Sequence, residues 1–464
     1  MCPTVIQPWA RLRVSFRPKP DAQLFLLPYI RLSTSAFTPI LTESPLSELK
    51  TLKVRRSRLQ GEVRLNGAKN SALRLLAASL LTAEPVTLTN YPAGLLDVAV
   101  HEGMLRALGK TVIATSPESV RITETAAPLS RLVWDGRSIR NTLLILGALT
   151  ARTGAGKVPL PGGCKLGERK YDLHVMLLER LGARVWDEGD DLCAEAPGGL
   201  VGADIHLSLR STGATENAII AASLARGTSR IWNPHIRPEI LDLVAMINAM
   251  GGKITVHGQE HIEVEGVAAF GGVDHAVIPD NMEAVTWLVA ASITGGDVEI
   301  HGFPFGDLEV VLAHLKAAGA QMYRSDGAMI VRGRKCYPLE ISTGPHPGIN
   351  SDVQPILAAW AVAAVGESRI VDLRFPGRYG YAAELQKMGA NFEVMGDVLR
   401  VLGTGGVLHG AEVRALDLRA GAALTLAGLM AEGETVVTEA WQINRGYMNF
   451  AAKLRALGGD VEAV

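Results

Sequence analysis

Arg180-Leu181-Gly182-Ala183-Arg184-Val185-Trp186 closes a helical run on an apolar residue, places a glycine after it and starts an apolar/polar alternation. Glycine just past a helix C-terminus accommodates the left-handed turn that ends the helix, and alternation at period two marks a strand. The same junction returns at Ala107-Leu108-Gly109, Ala249-Met250-Gly251, Ala317-Ala318-Gly319, Lys387-Met388-Gly389 and Ala456-Leu457-Gly458. Successive glycines are 73, 69, 68, 70 and 69 residues apart.

Two further series keep this period. Polar residues precede Ala/Leu-rich runs at Lys69-Asn70, Arg140-Asn141, Ser211-Thr212, Asn281-Met282, Ser351-Asp352 and Arg419-Ala420. Gly156, Gly227, Gly296, Gly366 and Gly433 recur in a later turn. Three registers with one period define a repeat of about 70 residues, each unit holding strands and two helices. The runs that follow the second series, Ala72–Leu81, Leu143–Ala151, Ala214–Ala225, Ala284–Ser292, Ile356–Val365 and Ala422–Met430, are apolar nearly all round. A helix without a polar face is buried. A linear solenoid would leave one helix face in water, so the pattern favours closed units with buried helices inside strands over a solenoid.

Composition sets outer limits. The 464 residues carry 46 basic and 47 acidic side chains, so no global basic field points to nucleic acid or an anionic membrane. No apolar run approaches the ~18 residues of a spanning helix. The four cysteines (Cys2, Cys164, Cys193 and Cys336) have no CxxC spacing, which argues against a disulfide scaffold or zinc ribbon and fits a reducing cytoplasm. Cys193 and Cys336 read as packed strand residues. Residues 1–47 stand apart: seven of the 23 prolines lie there, with neither strand nor helix period. They read as a disordered extension or a start placed too far upstream, with an Arg/Ser-rich transit segment as the alternative.

The chemistry sits at equivalent places. Lys69, Arg140 and Arg419 stand at starts of buried helices, where the exposed N–H groups and the dipole already favour anions. Cations there oppose the dipole unless an anion lies between them. The alternative is that they point to solvent, and Asp352 has a competing role as an N-cap. The segment Pro161-Gly-Gly-Cys164-Lys-Leu-Gly-Glu-Arg169-Lys-Tyr-Asp172-Leu-His174 reads as a Gly-rich basic loop with one thiol, a candidate lid over an anion. Its alternative is a plain turn, and His174 serves equally as a helix-start or core residue. Arg378 and Arg445 sit in turns. No P-loop, GxGxxG, HExxH or GxSxG motif occurs.

Gly67-Ala-Lys69-Asn70, Pro161-Gly-Gly-Cys164-Lys-Leu-Gly-Glu-Arg169, Asp417-Leu-Arg419 and Arg445-Gly-Tyr447 together resemble the UDP-N-acetylglucosamine 1-carboxyvinyltransferase family over roughly 48–464. The resemblance implies an α/β fold of two inside-out α/β barrel domains, each of three repeats, with the active site in the cleft between them. It places 48–68 with 279–464 in one domain and 69–278, carrying the Cys164 loop, in the other. It implies enolpyruvate transfer from phosphoenolpyruvate to the 3-hydroxyl of UDP-N-acetylglucosamine, in the cytoplasm, with no metal or organic cofactor. It leaves oligomeric state open.

By the same resemblance, Lys69, Arg169 and Arg445 hold phosphate, and Arg378 and Arg419 lie near the carboxylate. Cys164 is the general acid and Asp352 the base. Asn70, Arg140, Asp97, Asp172, His174, Ser211 and Gly213 complete the substrate-contacting set. Departures from the family pattern fall at Leu209 (usually Lys), Lys170 (usually Pro), Asn444 (usually Asp), Asn281 (usually Arg) and Pro376-Gly377 (usually Glu-Asn). They bear on the uridine side, so a different acceptor (another nucleotide-sugar or a shikimate phosphate) and a non-catalytic paralogue stay open. The Cys164 loop speaks against shikimate.

Overall fold

A computed structural model describes residues 49–137, 139–161 and 171–464. The expectation for residues 1–47 lies outside the described residues. So do Cys2, Cys164, Arg169 and Lys170.

The described chain is a mixed α/β fold of several small sheets. Its helices are α1 (Lys69–Ala78), α2 (Leu96–Ala107), α3 (Thr142–Thr153), α4 (Asp172–Arg180), α5 (Thr212–Ala222), α6 (Pro238–Ala249), α7 (Asn281–Ile293), α8 (Glu309–Ala317), α9 (Gln354–Ala363), α10 (Gly380–Lys387), α11 (Leu418–Gly428) and α12 (Phe450–Ala456). Five four-stranded sheets and one three-stranded sheet surround them. One pairing pattern recurs in the four-stranded sheets. A short strand runs parallel to its neighbour, as Asp204–His206 does beside Thr228–Trp232. Two antiparallel strands follow, here His261–Glu265 and then Lys253–His257.

Two sheets join distant parts of the chain. Thr51–Arg55 lies antiparallel between Glu434–Thr438 and Val461–Ala463. Gln60–Arg64 runs parallel to Asp297–His301. Buried Glu283 reinforces this junction by accepting from Asn66, Trp287 and Lys453.

Alternate helices are buried nearly all round, as their sequences predict. In α3 every residue from Thr142 to Thr150 is buried, in α7 every residue from Asn281 to Ser292, and in α11 the whole helix. The buried apolar residues form two clusters. One contains residues of α1 to α6; the other contains Leu52–Leu65 and residues from α7 to the C-terminus. Close helix packing shows at Gly147, where a Cβ would sit 1.9 Å from Asn217 Oδ1.

All six helix-ending glycines (109, 182, 251, 319, 389 and 458) are left-handed, with φ between 84° and 103°. The later-turn glycines are corrected at two of five places, because Gly156 and Gly366 lie within the strands Ala155–Pro159 and Val365–Val371. Gly154 and Gly295 take the left-handed conformation, while Gly156 and Gly296 are pressed against neighbouring backbone or side chains. Two local expectations are corrected. Val365 starts the strand Val365–Val371 and does not end a helix. Cys336 is buried in the segment between two strands and does not belong to one.

Candidate active site

The starts of α1, α3, α5 and the turn before α9 open onto one cleft of about 1290 Å³. Its described lining has eight Lys and Arg side chains against five Asp and Glu, in a chain that is otherwise balanced. The excess of cations and the N-terminal ends of helices act together on an anion.

Side-chain caps fix the starts of α5, α7 and α11, whereas α1 and α3 have none. Ser211 accepts from the Ala214 N–H and caps α5. Asp280 caps α7 through the Met282 and Glu283 N–H groups and also accepts from the Lys69 N–H at 3.3 Å. Asp417 caps α11 by accepting from the Arg419 and Ala420 N–H groups at 2.8 Å each. Asp352 is not a cap. Asn350 accepts from the Asp352 N–H at 2.9 Å, which frees the Asp352 carboxylate to face the cleft.

Two ion clusters result. Asp97, buried on α2, accepts from Arg445 Nε at 3.0 Å and lies 3.4 Å from Lys69 Nζ. Desolvation pushes its carboxyl up, but Lys69 and Arg445 more than reverse that, and it sits below the ordinary range. Arg378 bridges Asp352 at 2.9 Å and Asp417 at 3.4 Å. Burial opposes ionisation of Asp352, but Arg378, Arg419 and Lys69 together hold its carboxyl well below the usual range.

Arg419 differs from expectation. It is 1% exposed and lies behind the cleft wall, over the Tyr447 ring at 4.8 Å. Its Nε and Nη1, and Arg378 Nε, make no hydrogen bond among the described residues. Burial opposes its charge, but the Tyr447, Asp280 and Asp352 fields keep it cationic.

The remaining candidates divide. Asn70, Arg140 and Asp172 line the cleft. His174 also lines it but is 5% exposed and hydrogen-bonded through Nδ1 to Asn217 at 3.1 Å. Desolvation, aided by Arg140, lowers it to about 3, so the ring is neutral at neutral pH. His101 and Asn141 make the matching contact at 3.2 Å one unit earlier. Gly213 lies against His174, and a Cβ there would be 3.3 Å from Nε2. Cys164 and Arg169 lie outside the described residues, between Pro161 and Asp172, which line the cleft.

Sequence reading missed a second charged layer. Arg74 pairs with buried Glu216 at 2.7 Å, and Arg237 forks onto Glu239 at 2.6 and 2.7 Å. Arg74 and Glu216 are 142 residues apart, and no local motif announces them. Among the described residues, one trio has metal-ligand spacing: Glu62, Glu299 and His301, with ligand atoms within 4.8 Å. It lies on a sheet away from the cleft lining.

The EPSP synthase (3-phosphoshikimate 1-carboxyvinyltransferase) family matches residues 54–454. UDP-N-acetylglucosamine 1-carboxyvinyltransferase 1 of Staphylococcus aureus (strain N315) is 39% identical over 412 residues, 88% of this chain and 97% of that protein. UDP-N-acetylglucosamine 1-carboxyvinyltransferase of Caulobacter vibrioides (strain NA1000 / CB15N) is 40% identical over 418 residues, 88% of this chain and 96% of its own. In three dimensions the enolpyruvyl transferase NikO from Streptomyces tendae superposes with a TM-score of 0.81 at 26% identity, covering 89% of this chain and 98% of that one. With its cleft, its cation-lined helix starts and these matches along nearly the whole described length, the chain belongs to the EPSP synthase family and, within it, to the UDP-N-acetylglucosamine 1-carboxyvinyltransferases.

Proposed function

We propose that the protein transfers enolpyruvate from phosphoenolpyruvate to the 3-hydroxyl of UDP-N-acetylglucosamine and releases phosphate, the committing step of peptidoglycan precursor synthesis. The observation that carries this reading is the pair of ion clusters at one end of the cleft, Lys69–Asp97–Arg445 and Asp352–Arg378–Asp417. Phosphoenolpyruvate brings a phosphate and a carboxylate, and only converging cations can take both from water.

In this reading Lys69 and Arg445, with Arg169, hold the phosphate, Arg378 faces the carboxylate and buried Arg419 adds its charge from behind the wall. The buried guanidinium nitrogens of Arg378 and Arg419 that lack hydrogen bonds among the described residues support that role. Asp352 accepts the proton of the sugar hydroxyl as its oxygen bonds to carbon 2 of phosphoenolpyruvate. Cys164 delivers a proton to carbon 3. The tetrahedral ketal then loses a proton from carbon 3, re-forms the double bond and expels phosphate. A base must be ionised to act, and Asp352, held low by Arg378, Arg419 and Lys69 against its burial, stays ionised at neutral pH. Asn70, Arg140, Asp172, Ser211 and Gly213 lie along the acceptor side. His174 supports Gly213 by packing. Asp97 spaces Lys69 and Arg445.

The reading extends to architecture. Two inside-out barrels of three repeats, 48–68 with 279–464 and 69–278, account for the two hydrophobic clusters and for the recurrent sheet pairing. The Cys164 loop belongs to the second. Both substrates are charged metabolites, so a cytoplasmic location goes with the reaction. Among the described residues no helix is long and apolar enough to cross a membrane.

The test is phosphate release. Purified protein is expected to release phosphate from phosphoenolpyruvate only with UDP-N-acetylglucosamine present; release with another acceptor instead would refute the assignment. Incubation with the epoxide fosfomycin should add its mass to the peptide containing Cys164, and an unmodified peptide would remove that thiol from the mechanism.

A further inference from the structure

The two walls of the cleft touch at places remote from each other in sequence. At one, Arg445 meets Asp97 and Arg137 lies over the Trp441 ring at 4.4 Å. At another, the backbone N–H of His346 donates to His235 Nε2 at 3.1 Å. His235 follows the strand Thr228–Trp232 and precedes α6. His346 lies in the segment 343–349 that leads into Asn350 and Asp352.

That segment is a loop closed at its base. The Gly344 N–H donates to Ile349 O at 2.8 Å, and Thr343 and Ser351 both donate to buried Asp372, at 2.8 and 2.6 Å. The base is therefore fixed to its own wall, while His235 binds the loop from the opposite wall. His235 is itself anchored there. Its Nδ1 lies 2.8 Å from Thr212 Oγ1, and its backbone N–H donates to Thr215 Oγ1 at 3.0 Å. A ring that accepts at Nε2 carries its proton on Nδ1, so Thr212 Oγ1 is the acceptor there. A doubly protonated ring would oppose one N–H with another. The surroundings keep the ring neutral. Desolvation, Arg237, Arg374 and His346 act against protonation, Glu239 alone favours it, and the result is about 4.

We propose that His235 is a positioning residue for the acceptor step: it holds the 343–349 loop to the start of α5 and thereby sets the gap between the walls and the placement of Asp352. This rests on the function proposed above, in which Asp352 is the base. Without the contact the loop keeps its base but loses its tether across the cleft, so the acceptor meets an ill-placed carboxylate while phosphoenolpyruvate, held by Lys69, Arg378 and Arg445, does not.

The experiment uses the full chain with His235→Ala and His235→Gln. Glutamine offers an amide oxygen to the His346 N–H; alanine offers nothing. Amide exchange without substrate should be about tenfold faster at His346 in the alanine variant, the loss of one hydrogen bond, and near wild type in the glutamine variant. In turnover the alanine variant should raise the KM for UDP-N-acetylglucosamine and lower kcat, about tenfold in kcat/KM, with the KM for phosphoenolpyruvate unchanged and with glutamine restoring most of it. Unchanged exchange at His346 in the alanine variant overturns the proposal, as does altered exchange with unaltered acceptor kinetics. If the wild-type chain releases no phosphate with this substrate pair, the proposed function fails, and the exchange measurement alone decides whether the tether exists.

Discussion

Asp97 is surrounded by the charges it needs and that a phosphate would also need. Its two oxygens are shared by Lys69 and Arg445, and all three side chains are nearly buried. Removing one member of such a cluster leaves like charges facing each other in low dielectric, a loss of about 3–5 kcal/mol. Asp97→Ala should therefore lower the urea midpoint strongly, and added inorganic phosphate should restore more stability to the variant than to the parent. Equal phosphate effects on both would show that Lys69 and Arg445 do not form an anion seat. Asp352→Asn keeps shape but removes the proton acceptor and should cut kcat by about 10²–10⁴-fold; a near-parental rate would assign the base elsewhere. Much of this site was legible in the sequence because its members occupy equivalent places in a repeat. Lys69, Arg140 and Ser211 stand where their helix starts predict. What could not be read was depth. Nothing in Asp417-Leu-Arg419 says that the arginine folds behind the wall onto Tyr447, 28 residues later. Nor does Arg74 announce Glu216, since their pairing depends on how α1 meets α5.

The helices carry the next level of constraint. α3 and α5 approach closely because Gly147 has no side chain where Asn217 passes, and Asn217 in turn holds His174. A methyl group at that spot would meet the Asn217 side chain, which is buried and held by its hydrogen bond to His174. Gly147→Ala should destabilise by about 1–3 kcal/mol through overpacking, measured as a lower urea midpoint with an unchanged slope. Asp417 has a double duty as cap of α11 and partner of Arg378. Its alanine variant should lose about 1 kcal/mol for the cap alone, and turnover should fall as Arg378 swings free of one anchor. The helix ends were legible at every Gly of the first series because a left-handed residue is a strictly local requirement. The later turn was less so. Either of two nearby glycines satisfies it, and packing against a neighbouring strand or helix decides which one turns left.

For the whole molecule, buried neutral histidines set the acid limit. His101 and His174 are both lowered to about 3, chiefly by desolvation, from an ordinary value near 6.5. The folded state thus binds fewer protons than the unfolded chain once pH drops below 6.5, and stability declines from there toward pH 3. The slope is about 1.4 kcal/mol per pH unit for each histidine. Urea unfolding at pH 7 and pH 5 should differ by a few kcal/mol, to which His235, lowered to about 4, also contributes, and His174→Asn should remove about a third of that difference. A pH-independent midpoint over this range would mean that both rings protonate without leaving the core.

Thr51–Arg55 is the first strand among the described residues, and its partners come last. Its neighbours are Glu434–Thr438 and Val461–Ala463, and the latter reaches within one residue of the C-terminus. On the ribosome, this strand therefore waits with open edges while nearly four hundred residues emerge. The stretch around α2 to α6 can fold during synthesis, but the sheet that contains Thr51–Arg55 cannot close until Val461–Ala463 has emerged. Loss of Val461–Ala463 would thus leave Thr51–Arg55 with an open edge, a template for aggregation.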